Sequence, residues 1–199
     1  MYKINKYSVH LPEYGVLTDS FSKEEVDKII FLEKILKFEK GAVGHPVASQ
    51  VDNKARNSKV AFLPIDPATT EWVWQKLGAI IPKVNYDLFM RDIEAIEALQ
   101  YTIYSSRDNQ FYDWHLDSHD MYTDFERKIS GVLVLSDPEE YEGGEFELIP
   151  SGDPTRSEKF KAAKGEIIFF SSRMPHKVHP VTKGTRKSLV FWVLGKREV

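Results

Sequence analysis

From Glu97 onward the chain is written in the two-residue period of strands. LQYTIY, ISGVLVLSD, GEFELIP, GEIIFF and TRKSLVFWVLG all fit it, and residues i and i+2 of a strand share a face. The stretches between them, among them DPEEYEGG, SGDPTRSE and VTKG, carry the Gly, Pro and Asp of turns. Several short strands joined in this way point to a barrel or a sandwich.

The first half reads differently. A short strand is expected around Tyr14–Thr18. Ser22 with Glu25 three residues later is a capping box. The helix it opens is expected from Lys23 to Phe38, with Val26, Ile29, Ile30 and Leu36 on its apolar stripe and Gly41 and Gly44 breaking the pattern. Residues 42–58 are polar and read as irregular. Lys59–Leu63 is a strand ended by Pro64. A second helix starts at Thr69 or Thr70 and runs to Ile81, with Trp72, Leu77 and Ile81 inward. A third spans Asn85–Phe89. These helices form a layer that supports a sheet. At 199 residues the whole chain, 1–199, is expected to be one domain, with 1–96 as the helix-rich support and 97–194 as the catalytic core. The expected class is mainly β with supporting α-helices.

Bulk properties exclude little but consistently. A formal charge of -3 gives no general pull toward nucleic acid or an anionic membrane. The absence of cysteine rules out disulfides and zinc-thiolate sites. No apolar run approaches the length of a membrane span, and MYKINKYSVHLPEYG lacks the apolar centre of a secretion signal. A cytoplasmic location is the default expectation.

The chemistry is carried by YDWHLD and two later residues. His115 and Asp117 lie two apart, so on an extended backbone both face one way while Leu116 faces the other. A His-x-Asp pair alone is weak evidence. His176, from another strand, is the best third ligand. Two histidines and one carboxylate cap one face of an octahedron and leave three positions open, an arrangement suited to redox chemistry at Fe(II). His119 shares the parity of His115 but lies at the strand exit, and reads as a rim or solvated residue. His179 has the opposite parity to His176 and reads as structural or solvent-facing. His10 and His45 have no ligand partners nearby in sequence.

HKVHPVTKGTRKSLVFW reads as strand, turn, strand, with the turn at Lys183-Gly184. In its second strand Arg186, Ser188, Val190 and Trp192 share a face. Arg186 and Ser188 together can hold one carboxylate through the guanidinium fork and the hydroxyl. A hairpin would put them beside the strand of His176, at the reach of a five-carbon dicarboxylate chelated to the metal. A surface arginine in a basic tail is the plain alternative. Tyr104 and Tyr112 flank the approach to HLD, either as core residues or beside the co-substrate. Trp114 should face away from His115 and pack. Trp72, Trp74 and Trp192 read as core.

QFYDWHLD, ISGVLVLSDPEEYEGGEFEL and KGEIIFFSSRMPHKVHPVTKGTRKSLVFW, in that order, resemble the 2-oxoglutarate- and iron-dependent dioxygenases of the prolyl 4-hydroxylase-like branch, with EEYEGGEFEL and MPHKVHPVTKGTR closest to the bacterial PKHD-type hydroxylases. The resemblance covers residues 97–194, and FSKEEVDKII is similar to that family's entry helix. It implies a double-stranded β-helix, the jelly roll of cupin-like proteins. It implies Fe(II) held by His115, Asp117 and His176, with Arg186 on the distal carboxylate of 2-oxoglutarate and Tyr104 at the family's co-substrate tyrosine position. YSSRDNQFYDWH departs by being two residues longer than the usual tyrosine-to-histidine spacing and lacking the loop glycine. The implied reaction couples decarboxylation of 2-oxoglutarate to succinate and CO2 with hydroxylation by O2, with ascorbate as a reductant in vitro. The substrate is expected to be a prolyl residue or other amino-acid side chain of a peptide or protein, or else a free amino acid or small metabolite. Nucleic acid fits poorly, because RKSLVFW lacks the second arginine of nucleobase-acting relatives. A metal-dependent hydrolase or isomerase and an inactive binding module are the readings from other classes.

Overall fold

A computed structural model describes residues 12–43, 51–118 and 124–197. In chain order the first elements are β1 (Tyr14–Leu17), α1 (Lys23–Phe31), β2 (Glu39–Lys40), β3 (Arg56–Asn57), β4 (Lys59–Phe62) and α2 (Glu71–Val84). Then come β5 (Ala95–Ser105), β6 (Phe111–His115), β7 (Phe125–Val134), β8 (Tyr141–Gly143) and β9 (Phe146–Leu148). The last are β10 (Glu158–Phe160), β11 (Ile167–Ser171), β12 (His176–Val178) and β13 (Val181–Lys196).

Two antiparallel sheets result. The larger runs β1-β11-β7-β13-β5-β4-β2, with β8 added on β13, and the smaller runs β10-β9-β12-β6-β3. The architecture is mainly β with helices, two sheets face to face in the manner of a jelly roll. Strand parity decides which side each residue serves. Leu99 and Tyr101 of β5, Ile129 and Leu133 of β7, and Leu189 and Phe191 of β13 pack with Val26 and Ile29 of α1 and with Val73, Leu77 and Ile81 of α2. Residues of the other parity, Tyr104, Val132, Ile168 and Phe170, pack with Phe146, Leu148 and Val178 of the smaller sheet. Each fully buried Leu or Phe contributes about 1.5–3 kcal/mol by leaving water. Gly131 lies in register with both Phe169 and Phe191. A methyl group there would overlap the Phe191 ring.

The capping box forms. Glu25 N donates to Ser22 Oγ at 3.3 Å, and Ser22 N donates to Glu25 Oε2 at 2.8 Å. Glu25 also takes Lys76 of α2 at 2.6 Å, which ties the two helices together. The first helix is shorter than the sequence suggests. It gives way to a 3-10 turn at Leu32–Lys34. The chain leaves the helix so that Phe38 meets Tyr101 edge-on, 5.5 Å between ring centroids, and Glu39–Lys40 pairs with β4. Asn85–Phe89 is a π-helical turn continuing α2 rather than a separate helix, closed by Met90 at φ 49°. Residues 42–58 are not wholly irregular, because Arg56 and Asn57 pair with Tyr112 and Phe111. No helix among the described residues is long and apolar enough to cross a membrane.

The expected turn at Lys183–Gly184 is absent. β13 runs straight through it, with Gly184 at φ 71° inside the strand. The chain reverses earlier, at His179–Pro180. Pro180 has no amide hydrogen to continue a ladder, and its carbonyl accepts Gly144 N at 3.1 Å. β12 therefore ends in the smaller sheet and β13 begins in the larger one. Arg186 approaches from the sheet opposite His176, not as its hairpin neighbour.

Candidate metal centre

His115 and His176 are direct partners across β6 and β12, and Val178 pairs with Tyr112. Four residues of β6, 112–115, thus face three of β12, 176–178, which is a bulge. The bulge turns Tyr112 and His115, three apart in sequence, into the same cavity. Asp117 lies past the strand end, so parity is not what aims it. Its amide and that of Ser118 both donate to Ser172 O, at 3.0 and 2.8 Å, and this exit turn carries the carboxylate back toward the histidines.

One donor atom from each of His115, Asp117 and His176 lies within 4.8 Å of the others. His115 Nδ1 is hydrogen-bonded to Asp113 O at 2.7 Å and His176 Nδ1 to Met174 O at 3.0 Å. Both Nε2 atoms are left facing Asp117, at 3.9 Å from Oδ1 and 3.5 Å from Oδ2. Asp117 is 6% exposed, and its Oδ2 is buried with no hydrogen-bond partner. A buried carboxylate oxygen is costly when left so. A divalent cation between the three groups would satisfy it, and nitrogen and oxygen donors with open positions suit Fe(II). The residues fit the metal.

The electrostatics agree. Burial, then the neighbouring His176, pushes the His115 imidazole well below its usual range, so it stays neutral with a free lone pair. Burial alone would raise the Asp117 carboxyl, but His176, His115 and Arg127 hold it down at about 2. The carboxylate is therefore ionised, as a ligand must be.

A cavity of about 410 Å³ opens on these groups. From the larger sheet Arg186, Ser188, Val190 and Trp192 line it, and they pair in register with Tyr104, Thr102, Gln100 and Ala98. Arg186 is 3% exposed and donates from Nη1 to Ser188 Oγ at 3.2 Å. Its Cζ lies 5.7 Å from the Tyr104 ring. Burial raises the Tyr104 phenol, against the pull of Arg56 and Arg186, and burial raises Tyr112 to about 12. Both phenols are neutral donors. All seven residues singled out in the sequence, His115, Asp117, His176, Arg186, Ser188, Tyr104 and Tyr112, line this one cavity.

Other expectations hold in part. Trp192 is buried as expected and also lines the cavity, its Nε1 without a partner and Arg127 Cζ 4.0 Å over its ring. Strand parity with Arg186 and Ser188 was the available signal. Arg127 in turn pairs with Glu97 at 2.6 Å. Arg56 carries no sequence signal of its place. It sits 4.5 Å over the Tyr112 ring and lines the same cavity. Trp114 is 40% exposed, with Lys177 Nζ 4.6 Å above it, and contributes nothing to the cavity wall. His179 bonds Glu147 through Nε2, a structural contact. His10, His45 and His119 fall outside the described residues.

Comparison with known proteins follows the same lines. Residues 99–194 match the model of the 2OG-Fe(II) oxygenase superfamily. A PKHD-type hydroxylase of Acidovorax ebreus is 34% identical over 106 residues, covering 48% of this chain and 45% of the relative. One of Prochlorococcus marinus is 33% identical over 147 residues, 73% of this chain and 61% of the relative. The chain thus spans about half to three-fifths of the length of these relatives. Among solved structures, a Pseudomonas putida prolyl-4-hydroxylase superposes with a TM-score of 0.72 at 18% identity, covering 94% of both chains. A Trichoplax adhaerens prolyl hydroxylase in complex with a hypoxia inducible factor peptide fragment gives 0.74 at 18% identity, covering 92% of this chain and 84% of the other. At that identity the likeness is one of fold.

Proposed function

We propose that the chain, whose residues 99–194 match the 2OG-Fe(II) oxygenase superfamily model, is a non-haem Fe(II)- and 2-oxoglutarate-dependent hydroxylase of a prolyl residue or another amino-acid side chain. In this reading residues 1–199 are one jelly-roll domain, with 97–194 as the catalytic core. One observation carries it. A complete two-histidine, one-carboxylate set with an orphaned buried oxygen shares a cavity with a buried arginine–serine pair.

His115, Asp117 and His176 would hold the iron. When bound, Fe(II) with 2-oxoglutarate supplies the oxidising chemistry, yielding succinate, CO2 and a hydroxylated product from O2. The protein's own part is placement. Asp113 and Met174 carbonyls fix the histidine tautomers. Ser188 orients the Arg186 fork toward the distal carboxylate. Tyr104 offers its neutral phenol at the same end. Val132, Phe146, Phe170, Val178 and Val190 line the walls and keep water from competing.

The relatives are PKHD-type hydroxylases and prolyl hydroxylases share the fold, so a prolyl substrate is the first reading. A free amino acid or small metabolite is the second reading, favoured by the limited cavity volume. A metal-dependent hydrolase would have no use for the Arg186–Ser188 pair, and an inactive binding module has no need of a complete ligand set. The test is anaerobic loading with Fe(II) and 2-oxoglutarate, then oxygen, ascorbate to keep the iron reduced, and a succinate assay with proline peptides and free amino acids. Succinate formation that requires iron and is lost in His176→Ala is the expected result. Failure to bind 2-oxoglutarate would return weight to the hydrolase and binding-module readings.

A further inference from the structure

We infer that Arg56 is the docking point for a carboxylate on the substrate. The inference rests on the proposed function and adds a chemical requirement to its substrate.

Arg56 is a buried cation, 7% exposed, on the wall of the cavity. Its hydrogen bonds go to Ser58 Oγ at 2.9 Å, Ala42 O at 3.1 Å and Gln100 Oε1 at 2.9 Å. All three acceptors are neutral, and the guanidinium has five N–H donors. Its remaining close neighbours are the face of Tyr112 and the hydroxyl of Tyr104, which is neutral as well. No described carboxylate pairs with it. Buried charges are normally paired, so this one is built to meet an anion.

The charges lining the cavity say the same. They are Arg56, Glu97, Asp117, Arg127 and Arg186. Glu97 offsets Arg127, to which it is bonded. Asp117 offsets Arg186. A divalent metal offsets the 2-oxoglutarate dianion. Arg56 alone is left over, and one negative charge on the substrate completes the balance.

Arg56 is anchored differently from Arg186, and the Tyr104 phenol borders both guanidiniums. Arg56 is anchored to Gln100, whose register partner is Val190, whereas Arg186 pairs with Tyr104. Those backbone rungs are about 13 Å apart, and the Arg56 side chain reaches from the Gln100 side to the Tyr104 hydroxyl. Arg56 is also one aromatic ring from the metal site, since Tyr112 lies between its guanidinium and His115. A carboxylate held there leaves the rest of a small substrate beside the open metal positions.

The experiment uses the full chain with Mn(II) in place of Fe(II), saturated with 2-oxoglutarate, and isotopically labelled acetate as probe. Mn(II)-enhanced relaxation of the acetate carboxyl that survives 2-oxoglutarate saturation is expected. Arg56→Gln should weaken acetate about 30-fold while 2-oxoglutarate affinity stays within about threefold. Absence of that relaxation in the wild type, or its persistence in Arg56→Gln, would overturn the inference. Parallel loss of 2-oxoglutarate would also overturn it, by assigning Arg56 to the co-substrate. A wild type that binds neither Mn(II) nor 2-oxoglutarate would instead sink the proposed function itself. If Arg56→Gln does not fold, Arg56→Lys serves. It keeps the charge but not the fork, and unchanged acetate affinity would refute the role. Free amino acids and peptides with free or amidated C-termini then identify the source of the carboxylate. A peptide without any carboxylate, hydroxylated equally by wild type and Arg56→Gln, would count decisively against it.

Discussion

The Tyr112 ring lies flat on the His115 imidazole, with 3.5 Å between centroids and 16° between planes. The stack and the bond from His115 Nδ1 to Asp113 O hold the ring in one orientation. Supports of this kind govern metal affinity nearly as much as the ligands do. Tyr112→Ala should weaken Mn(II) binding about tenfold, and Tyr112→Phe, which keeps the ring, should not. Titration followed by calorimetry separates the two.

Asp117 brings an unsatisfied buried oxygen to the site. Metal should therefore stabilise the fold as well as activate it. At about 100 times its dissociation constant, Mn(II) should add about 2.7 kcal/mol to unfolding free energy. Chelator should remove the gain, and Asp117→Ala should never show it. Thermal unfolding with and without metal is the measurement.

Arg186 and Ser188 should differ in degree. Arg186→Gln leaves an anion in an enclosed cavity without its cation, and should cost 2-oxoglutarate about 2–5 kcal/mol of binding. Ser188→Ala removes one neutral partner and should cost about 0.5–1.5 kcal/mol. Equal losses would mean that the fork is not the principal contact.

Glu126 gives the fold a pH dependence. Burial would raise its carboxyl, but hydrogen bonds from Lys128 and Arg173 bring it below the ordinary 4.5. A depressed carboxyl stabilises the folded state above the unfolded value and stops doing so as pH falls through the folded one. Glu126→Gln should therefore be less stable than wild type at neutral pH. The difference should vanish in acid, below the folded value. Urea midpoints across that range test the sign.

Gly131→Ala should destabilise by about 1–3 kcal/mol, because the new methyl group meets the Phe191 ring within a packed layer. Urea unfolding reads the loss directly. Little change would mean that the Phe169–Phe191 pair can shift without cost.

Much of the site could be read from residue pattern, and the limits of the reading are physical. The β13 face that carries Arg186 and Ser188 follows from strand parity alone. Asp117 reaches the cavity for a different reason than parity supplies, because its turn is set by Ser172 fifty-five residues away. Tyr112 depends on a bulge that only strand pairing reveals. Arg56 sits in VDNKARNSK, a polar stretch with no period to interpret. Its place comes from pairing with β6 and from Gln100. The two sheets of His176 and Arg186 were likewise hidden, since a break at Pro180 and a passable glycine at Gly184 look alike as turn signals.

The crossing at His179–Pro180 makes the stretch from His176 to Arg186 a ruler. One end is fixed to the smaller sheet and the other to the larger. On the proposed function, the gap it spans selects the length of diacid that reaches from metal to guanidinium. Discrimination between four- and five-carbon diacids then belongs to where a single segment changes sheets, and resizing the gap means moving that crossing rather than altering either contact.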